Sequence, residues 1–492
     1  MSTSRPRKVL IIGGGPVGAL TALSLHRRGW QVELWESRND PRGKNERITN
    51  LRSINLAISA RGLEALRSVD PALAEQFLAE AIPMKGRMIH TVDGREESQL
   101  YDPIDNQCIN SISRPILNQR LLEALPEEIT IRFATKLSHI NFGHRVAYRV
   151  RKTGDQTNFP GREHDDGRVG GGTRGEGKLG GEEQDKMSED GEGTAFDLVV
   201  GCDGSWSKVR SEMMRVVRQV PGCVPFDPCI YAGRWQDGSF TLTLFMPFAF
   251  LETLNTRDAA KHFFIEHFSG AVDIVGEERL LDEFEQNPRG NLVTINVSPS
   301  NWSSHALILG DSSHSMVPFY GQGLNCGLED VRVLNSYLEK HSISATTTKS
   351  LGAADPVLAE ALAHYADDRH DDLQAICKLA LENYTEMRSH VLSPMHHFRR
   401  HLDTLLTAIF PSHPPSILSL TEPFPTKTVR GWTSLYEMVT FRPDVGYAEA
   451  LRKESWQRDM VSAVGWSLGA GLVAGLGLAA TSAVRGVLAR RR

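Results

Sequence analysis

The sequence predicts an α/β fold: a Rossmann-like, mostly parallel sheet interrupted by inserted segments, with a helical C-terminal region and a final transmembrane helix. Three observations predict it. Near the start, an apolar strand runs into a glycine-spaced turn, an apolar helical face and a second strand ending in an acid. Two later apolar strands end in Gly and Asp, and residues 461–484 contain no charged side chain.

At 492 residues, the chain has room for about two to four packed units. Hydrophobic residues make up 40% and charged residues 23%, which excludes a wholly disordered chain and a polytopic membrane protein. A net charge of −5 provides no field for gripping nucleic acid. Six Cys without a C-x-x-C pair form neither a disulfide framework nor a zinc site, so a reducing compartment is the default. The 17 His show no metal-ligand spacing, and no metal is expected.

The first element is Val9-Leu10-Ile11-Ile12, continuously apolar as a buried parallel strand requires. Gly13, Gly15 and Gly18 follow at G-x-G-x-x-G spacing, with Val17 inside the turn. Ala19, Ala22, Leu23 and Leu25 then make one apolar helical face. The second strand, Gln31 to Trp35, ends in Glu36, about 18 residues beyond Gly18, where a dinucleotide fold places its ribose-binding carboxylate. Missing Cβ atoms let the backbone approach a pyrophosphate, and the helix N-terminus offers free N–H groups. An acid at Glu36 favours an unphosphorylated ribose, hence FAD or NAD rather than NADP at this turn. A second formal match, Gly170, Gly172 and Gly175, has no strand before it and is accidental. It lies in the Gly-, Asp- and Glu-rich stretch 161–193, which has too few apolar side chains to offset chain ordering and is expected to be a disordered insertion. Ala345 to Asp355 is expected to be a second, shorter loop.

Two more strand ends repeat the pattern. Leu198 to Gly201 leads into Cys202-Asp203-Gly204, and Ala306 to Leu309 leads into Gly310-Asp311, followed by Ser312, Ser313 and His314. Pro318-Phe319-Tyr320-Gly321-Gln322-Gly323-Leu324-Asn325 then enters a helix. Each Asp alone could be a helix cap. In this order, the three motifs resemble the single-component FAD-dependent aromatic hydroxylases. Further strings narrow the resemblance to the kynurenine 3-monooxygenases: 51–62 (Leu51 to Gly62), Met84 to His90, Ser113-Arg114, Leu242 to Phe248, Asn383 to Arg388 and Tyr436 to Phe441.

The resemblance implies hydroxylation of L-kynurenine to 3-hydroxykynurenine with NADPH and O2, through a flavin C4a-hydroperoxide. It implies FAD contacts at Gly13, Gly15, Val17, Gly18, Glu36, Ala57, Arg114, Asp203 and Asp311. The Gly323-Leu324-Asn325 helix start would face the pyrimidine edge of the flavin, where a helix dipole suits negative charge. Arg87 and Tyr101 would hold the substrate carboxylate, Asn383 and Tyr436 would make other substrate contacts, and Phe319 and Gln322 would lie beside the ring. No general base is implied, and His314 belongs to the Gly-Asp turn. NADPH would bind transiently over the same domain.

It further implies FAD-binding segments 1–80, 105–215 (with a disordered insertion over 155–195) and 290–340. Substrate-domain strands would occupy 81–104, an antiparallel substrate sheet 216–289, and helices 356–455. Between Arg210 and Asp237 the family pattern is shortened, so the substrate sheet is expected to be reduced. The uncharged stretch 461–484, followed by Arg485 and Arg490 to Arg492, is expected to anchor the chain in the mitochondrial outer membrane, its catalytic part facing the cytosol. Two alternatives stand beside this: a related hydroxylase of another aromatic, and a catalytically silent flavoprotein.

Overall fold

The computed structural model describes residues 4–43, 56–90, 95–151, 193–214, 229–234, 240–287, 289–290, 292–387, 393–415 and 422–464. At its centre is a sheet of six strands: β1 (Lys8–Ile12), β2 (Gln31–Trp35), β3 (Thr130–Arg132), β4 (Leu198–Gly201), β5 (Asn301–Trp302) and β6 (Ala306–Ile308). Their spatial order is β5-β6-β4-β1-β2-β3, parallel throughout except for β5 at one edge.

The period-2 alternation of a strand explains how this sheet is covered on both faces. Val9 and Ile11 of β1 pack into one core with α1 (Pro16–Arg27), α2 (Ala60–Val69) and α3 (Gly323–Lys340). Leu10 and Ile12 point the other way, into a core with Leu137, Ile140, Phe142, Val209 and Met213. The second face is covered by an antiparallel meander, Thr135–Asn141, Val146–Arg151 and Gly193–Ala195, and by the helix Lys208–Met214. A sheet covered on both faces needs continuously apolar strands, which is why β1 reads as it does. Behind α3 lies α4 (Pro356–Thr385), started by Pro356 and capped by Asp355, whose carboxylate accepts from the Leu358 amide.

Several expectations change. Gly193–Ala195, at the far edge of the expected insertion, forms a strand against Val146–Tyr148, while residues 152–192 lie outside those described. The expected loop Ala345–Asp355 is tied down: Thr346–Thr347 pairs with Arg5–Pro6, and Arg7 binds Asp355 at 2.6 Å. The expected sheet over 216–289 is, among the described residues, one two-stranded ribbon, Cys229–Arg234 with Phe240–Phe245. Helices Phe248–Leu251, Arg257–Val275 and Glu277–Gln286 follow it. Their reason is local: Phe263, Phe264, Leu280, Leu281 and Phe284 recur at helical spacing and pack into one aromatic cluster. Residues 215–228 and 235–239, where the family pattern shortens, lie outside those described.

The transmembrane helix is also corrected. Among the described residues, no helix is long and apolar enough to cross a membrane. Only 461–464 of the expected span is described, in helix continuous with 447–460, and 465–492 lies outside those residues. Five glycines between Gly465 and Gly477 displace larger apolar groups from this stretch. The helix is therefore removed from the fold class.

Candidate active site

The carboxyl ends of β1, β2, β4 and β6 open on one edge of the sheet, where ligands of such folds bind. At the end of β1 the turn is very tight. Gly13 has φ +104°, and a Cβ there would lie 2.3 Å from the Cys202 carbonyl oxygen. A Cβ on Gly18 would lie 1.9 Å from the Gly13 carbonyl oxygen. Gly15 is the N-cap of α1, with no side-chain cap and open space within 4 Å of where its Cβ would stand. The α1 N-terminus thus presents uncapped N–H groups to an open surface, as an anion site requires. Glu36 is buried, accepting from Gly14 N at 2.7 Å, Arg38 N at 2.8 Å and Arg38 Nε at 3.0 Å. Burial alone would raise its pKa, but Arg38 and these amides hold it below the usual carboxylate range.

The Asp-Gly and Gly-Asp turns are joined. Ser312 Oγ donates to Asp203 Oδ1 at 3.2 Å and accepts from Gly204 N at 3.0 Å. Arg210 clamps both turns by donating to Ser312 O at 2.8 Å and Ser205 O at 2.6 Å. Asp203 also caps the helix Lys208–Met214, accepting from Lys208 N at 2.6 Å and Ser207 Oγ at 2.6 Å. Asp311 and Arg114 are exposed, each at the start of a helix. Val17 fills the space between α1 and the later turn: a methyl on Gly327 would lie 2.8 Å from its Cγ2. Asn325, part of the helix start expected to face the flavin, fastens α3 to the strand Leu56–Ile58 with its side chain. Its Nδ2 donates to Ala57 O at 2.8 Å and Gly321 O at 2.9 Å, and its Oδ1 accepts from Ser59 N at 2.8 Å. Leu324 packs partly against the main core, while Gly323 opens α3 without a side-chain cap.

Beneath these turns lies a charge network that sequence reasoning missed. Arg61 binds Glu329 at 2.9 Å and also donates to the carbonyls of Met438, Val439 and Val445. Arg369 binds Glu329 and Asp330, each at 3.0 Å. Asp330 accepts from the Gly310 amide at 2.9 Å and meets His314 Nε2 at 2.5 Å. All five side chains are fully buried. Burial opposes charge on His314, but the Asp330 carboxylate holds the imidazole protonated well above its ordinary range. The network pins the Gly310-Asp311 turn to α3 and α4.

Around the residues expected to contact substrate, the turn Pro318–Tyr320 is the meeting point. Phe319 packs on Tyr384 at 4.4 Å between centroids and edge-on to Phe245 at 4.9 Å. Asn383 Nδ2 donates to Phe319 O at 2.8 Å. Tyr436 stacks between Tyr101 at 5.3 Å and Tyr320 at 6.0 Å. Burial drives the Tyr436 phenol well above its ordinary pKa, so it stays a proton donor, while the nearby Arg87 pulls the other way. Arg87, on the hairpin Gly86–His90 with Glu96–Leu100, donates from Nε and Nη2 to the neutral Gln99 amide oxygen at 3.2 and 3.1 Å. Gln322 is turned toward the C-terminal helix, its Oε1 accepting from Tyr447 OH at 3.4 Å. Arg400 went unread in the sequence. It reaches from helix Pro394–Ile409 to the Leu100 carbonyl, and burial, then the Arg87 charge, lowers its pKa. Its position depends on a helix docking some 300 residues away, which no local pattern reveals.

Residues 7–218 match the FAD binding domain family. The kynurenine 3-monooxygenase of Cryptococcus neoformans var. neoformans is 60% identical, with all of both chains covered. That alignment spans 523 positions, so at least 31 of them have no residue of this chain opposite. The kynurenine 3-monooxygenase of Saccharomyces cerevisiae is 34% identical over 91% of this chain and 92% of its own. The chain belongs to the kynurenine 3-monooxygenase family. Among solved structures, Pseudomonas aeruginosa PqsL in complex with 2-aminobenzoylacetate superposes with TM-score 0.53 over 78% of this chain and 97% of its own, at 17% identity. A 2-methyl-3-hydroxypyridine-5-carboxylic acid oxygenase matches with TM-score 0.53 at 15% identity, covering 79% and 95%. At that identity both speak to the fold alone. The family's FAD fits this chain: Gly13 and Gly18 make a turn too tight to admit a Cβ, the surface at Gly15 is open, and the buried Glu36 carboxylate stands beside Gly14.

Proposed function

We propose that this chain is an FAD-dependent monooxygenase that converts L-kynurenine to 3-hydroxykynurenine, consuming NADPH and O2. The observation that carries it is convergence at the turn Pro318–Tyr320 ahead of α3: Asn383 holds the Phe319 carbonyl, Tyr436 stacks between Tyr320 and Tyr101, and Arg87, from the same hairpin as Tyr101, lies close enough to act on the Tyr436 phenol. When bound, FAD supplies hydride acceptance from NADPH and activation of O2.

The protein's own residues then bind and aim. Arg87 takes the α-carboxylate of the substrate through its planar fork, exchanging the neutral Gln99 amide for a charged partner. Tyr101 and Tyr436 add phenolic donors to the same carboxylate. Phe319, Tyr384 and Phe245 give the aniline ring an apolar wall and keep water from the reacting carbon. Asn383 holds the Phe319 carbonyl and so fixes that wall. No side chain need remove a proton to start the reaction, because the ring amino group already makes the adjacent carbon electron-rich.

Purified flavoprotein tests this directly. Kynurenine should accelerate NADPH oxidation and yield 3-hydroxykynurenine; another aromatic that does so where kynurenine fails would replace the substrate. The two-stranded ribbon over Cys229–Phe245 supports a second reading, a flavoprotein without catalysis. Yellow protein that forms no product at saturating NADPH and O2 would favour it.

A further inference from the structure

Among the described residues, two clusters bring three metal-ligating side chains within 4.8 Å of one another. The buried one, His314, Cys326 and Asp330, is closed to a cation by Arg369, whose guanidinium lies 3.4 Å from Cys326 Sγ and 3.0 Å from Asp330. The other is at least partly exposed. His341 ends α3, and Glu360 and His364 stand four residues apart on one face of α4. His341 Nε2 and His364 Nδ1 face each other at 2.9 Å, with ring centroids 4.9 Å apart.

We propose that His341, Glu360 and His364 form a surface site for a divalent transition cation of the Zn2+ class. Two imidazole nitrogens and one carboxylate oxygen are the donor set of three-ligand zinc sites, with water as the fourth ligand. Tetrahedral bonds of about 2.05 Å place two ligand nitrogens roughly 3.4 Å apart, so the imidazoles need to open by only about half an ångström. All three side chains are at least partly exposed and free to make that adjustment. The site also lies at the carbonyl end of α3, where the helix dipole favours a cation. Without a metal, the two ring nitrogens meet each other directly. With it, the end of α3 is stapled to α4, the two helices that also carry the Asp330–Arg369 pair. The inference is independent of the substrate.

Calorimetric titration of the full-length flavoprotein with Zn2+ tests it, with Mg2+ as the hard-cation control. One equivalent of Zn2+ should bind and raise the unfolding temperature; H341A/H364A should lose that equivalent while keeping its flavin. E360Q should weaken binding by about tenfold or more. Equal Zn2+ binding by the parent and the double variant would overturn the site, and so would Mg2+ binding as tightly as Zn2+. Unchanged affinity in E360Q would remove the carboxylate from it.

Discussion

The two halves of the active site are built by different physics. The nucleotide side is made of backbone: strand ends, glycine turns and helix N-termini, cross-braced by short hydrogen bonds such as those of Ser312, Arg210 and Asn325. The substrate side is made of long side chains from distant segments that touch mainly ring to ring, as Tyr101, Tyr436 and Tyr320 do. Backbone geometry fails abruptly when an atom is added, whereas a side-chain pocket loses function one contact at a time. The largest expected effect therefore lies on the nucleotide side. Gly18→Ala sets a Cβ 1.9 Å from the Gly13 carbonyl and should cost about 3 kcal/mol or more, with nearly all bound flavin lost. Gly15→Ala has open space around its new methyl, so it should keep the apoprotein's unfolding temperature and lose flavin affinity only. Flavin absorbance and thermal unfolding, measured on both variants, check the pair. Equal thermal losses would show that the turn at Gly15 is not an open ligand surface.

Arg87→Ala should raise KM for kynurenine about ten- to a hundredfold, the worth of a charge-assisted hydrogen bond of about 1.5–3 kcal/mol, and leave flavin content unchanged. Arg87→Lys should recover only part of the loss, because an ammonium cannot grip a carboxylate with two parallel bonds. Lost flavin in either variant would erase the division between the two sides.

What could be read from the sequence follows the same division. Backbone motifs are local, so β1, the Gly13–Gly18 turn, Glu36 and the two Asp turns were all legible in order. Partners set by folding alone were not. Arg61 and Glu329 are 268 positions apart, and nothing near Arg61 announces a buried ion pair. His341 and His364 lie on different helices, so a search for metal spacing passes over them. Asn325 was rightly placed at the start of α3, yet its amide serves the strand Leu56–Ile58. The region 216–289 misled because a family pattern suggested a sheet where Phe263, Phe264 and Phe284 favour packed helices. The stretch 461–484 misled because its length without charge was given more weight than the modest apolarity its glycines leave.

A smaller effect should appear in the pH dependence of the substrate side. Glu437 follows Tyr436 in the short helix Leu435–Thr440; burial first, then the Asp102 charge, pushes its carboxyl up to about 7 from 4.5. The folded protein therefore binds this proton more tightly than the unfolded chain does. Its contribution to stability is fully present below pH 4.5 and is lost as pH rises through about 7. Denaturant titrations from pH 4.5 to 8 should show that decline, and Glu437→Gln should flatten it. An unaltered slope in the variant would assign the decline to another group.

The smallest effect expected is that of Tyr101→Phe. The substitution keeps the stack on Tyr436, at 5.3 Å and 12° between planes, and removes only the hydroxyl. A neutral hydrogen bond contributes about 0.5–1.5 kcal/mol, so KM for kynurenine should rise about two- to tenfold with flavin content unchanged. Read against Arg87→Ala, the ratio of the two losses separates charge from hydrogen bonding in carboxylate recognition. If Tyr101→Phe costs as much as Arg87→Ala, the guanidinium is not the principal anchor. The carboxylate would then sit between the stacked phenols of Tyr101 and Tyr436, and the two cations Arg87 and Arg400 would act at longer range.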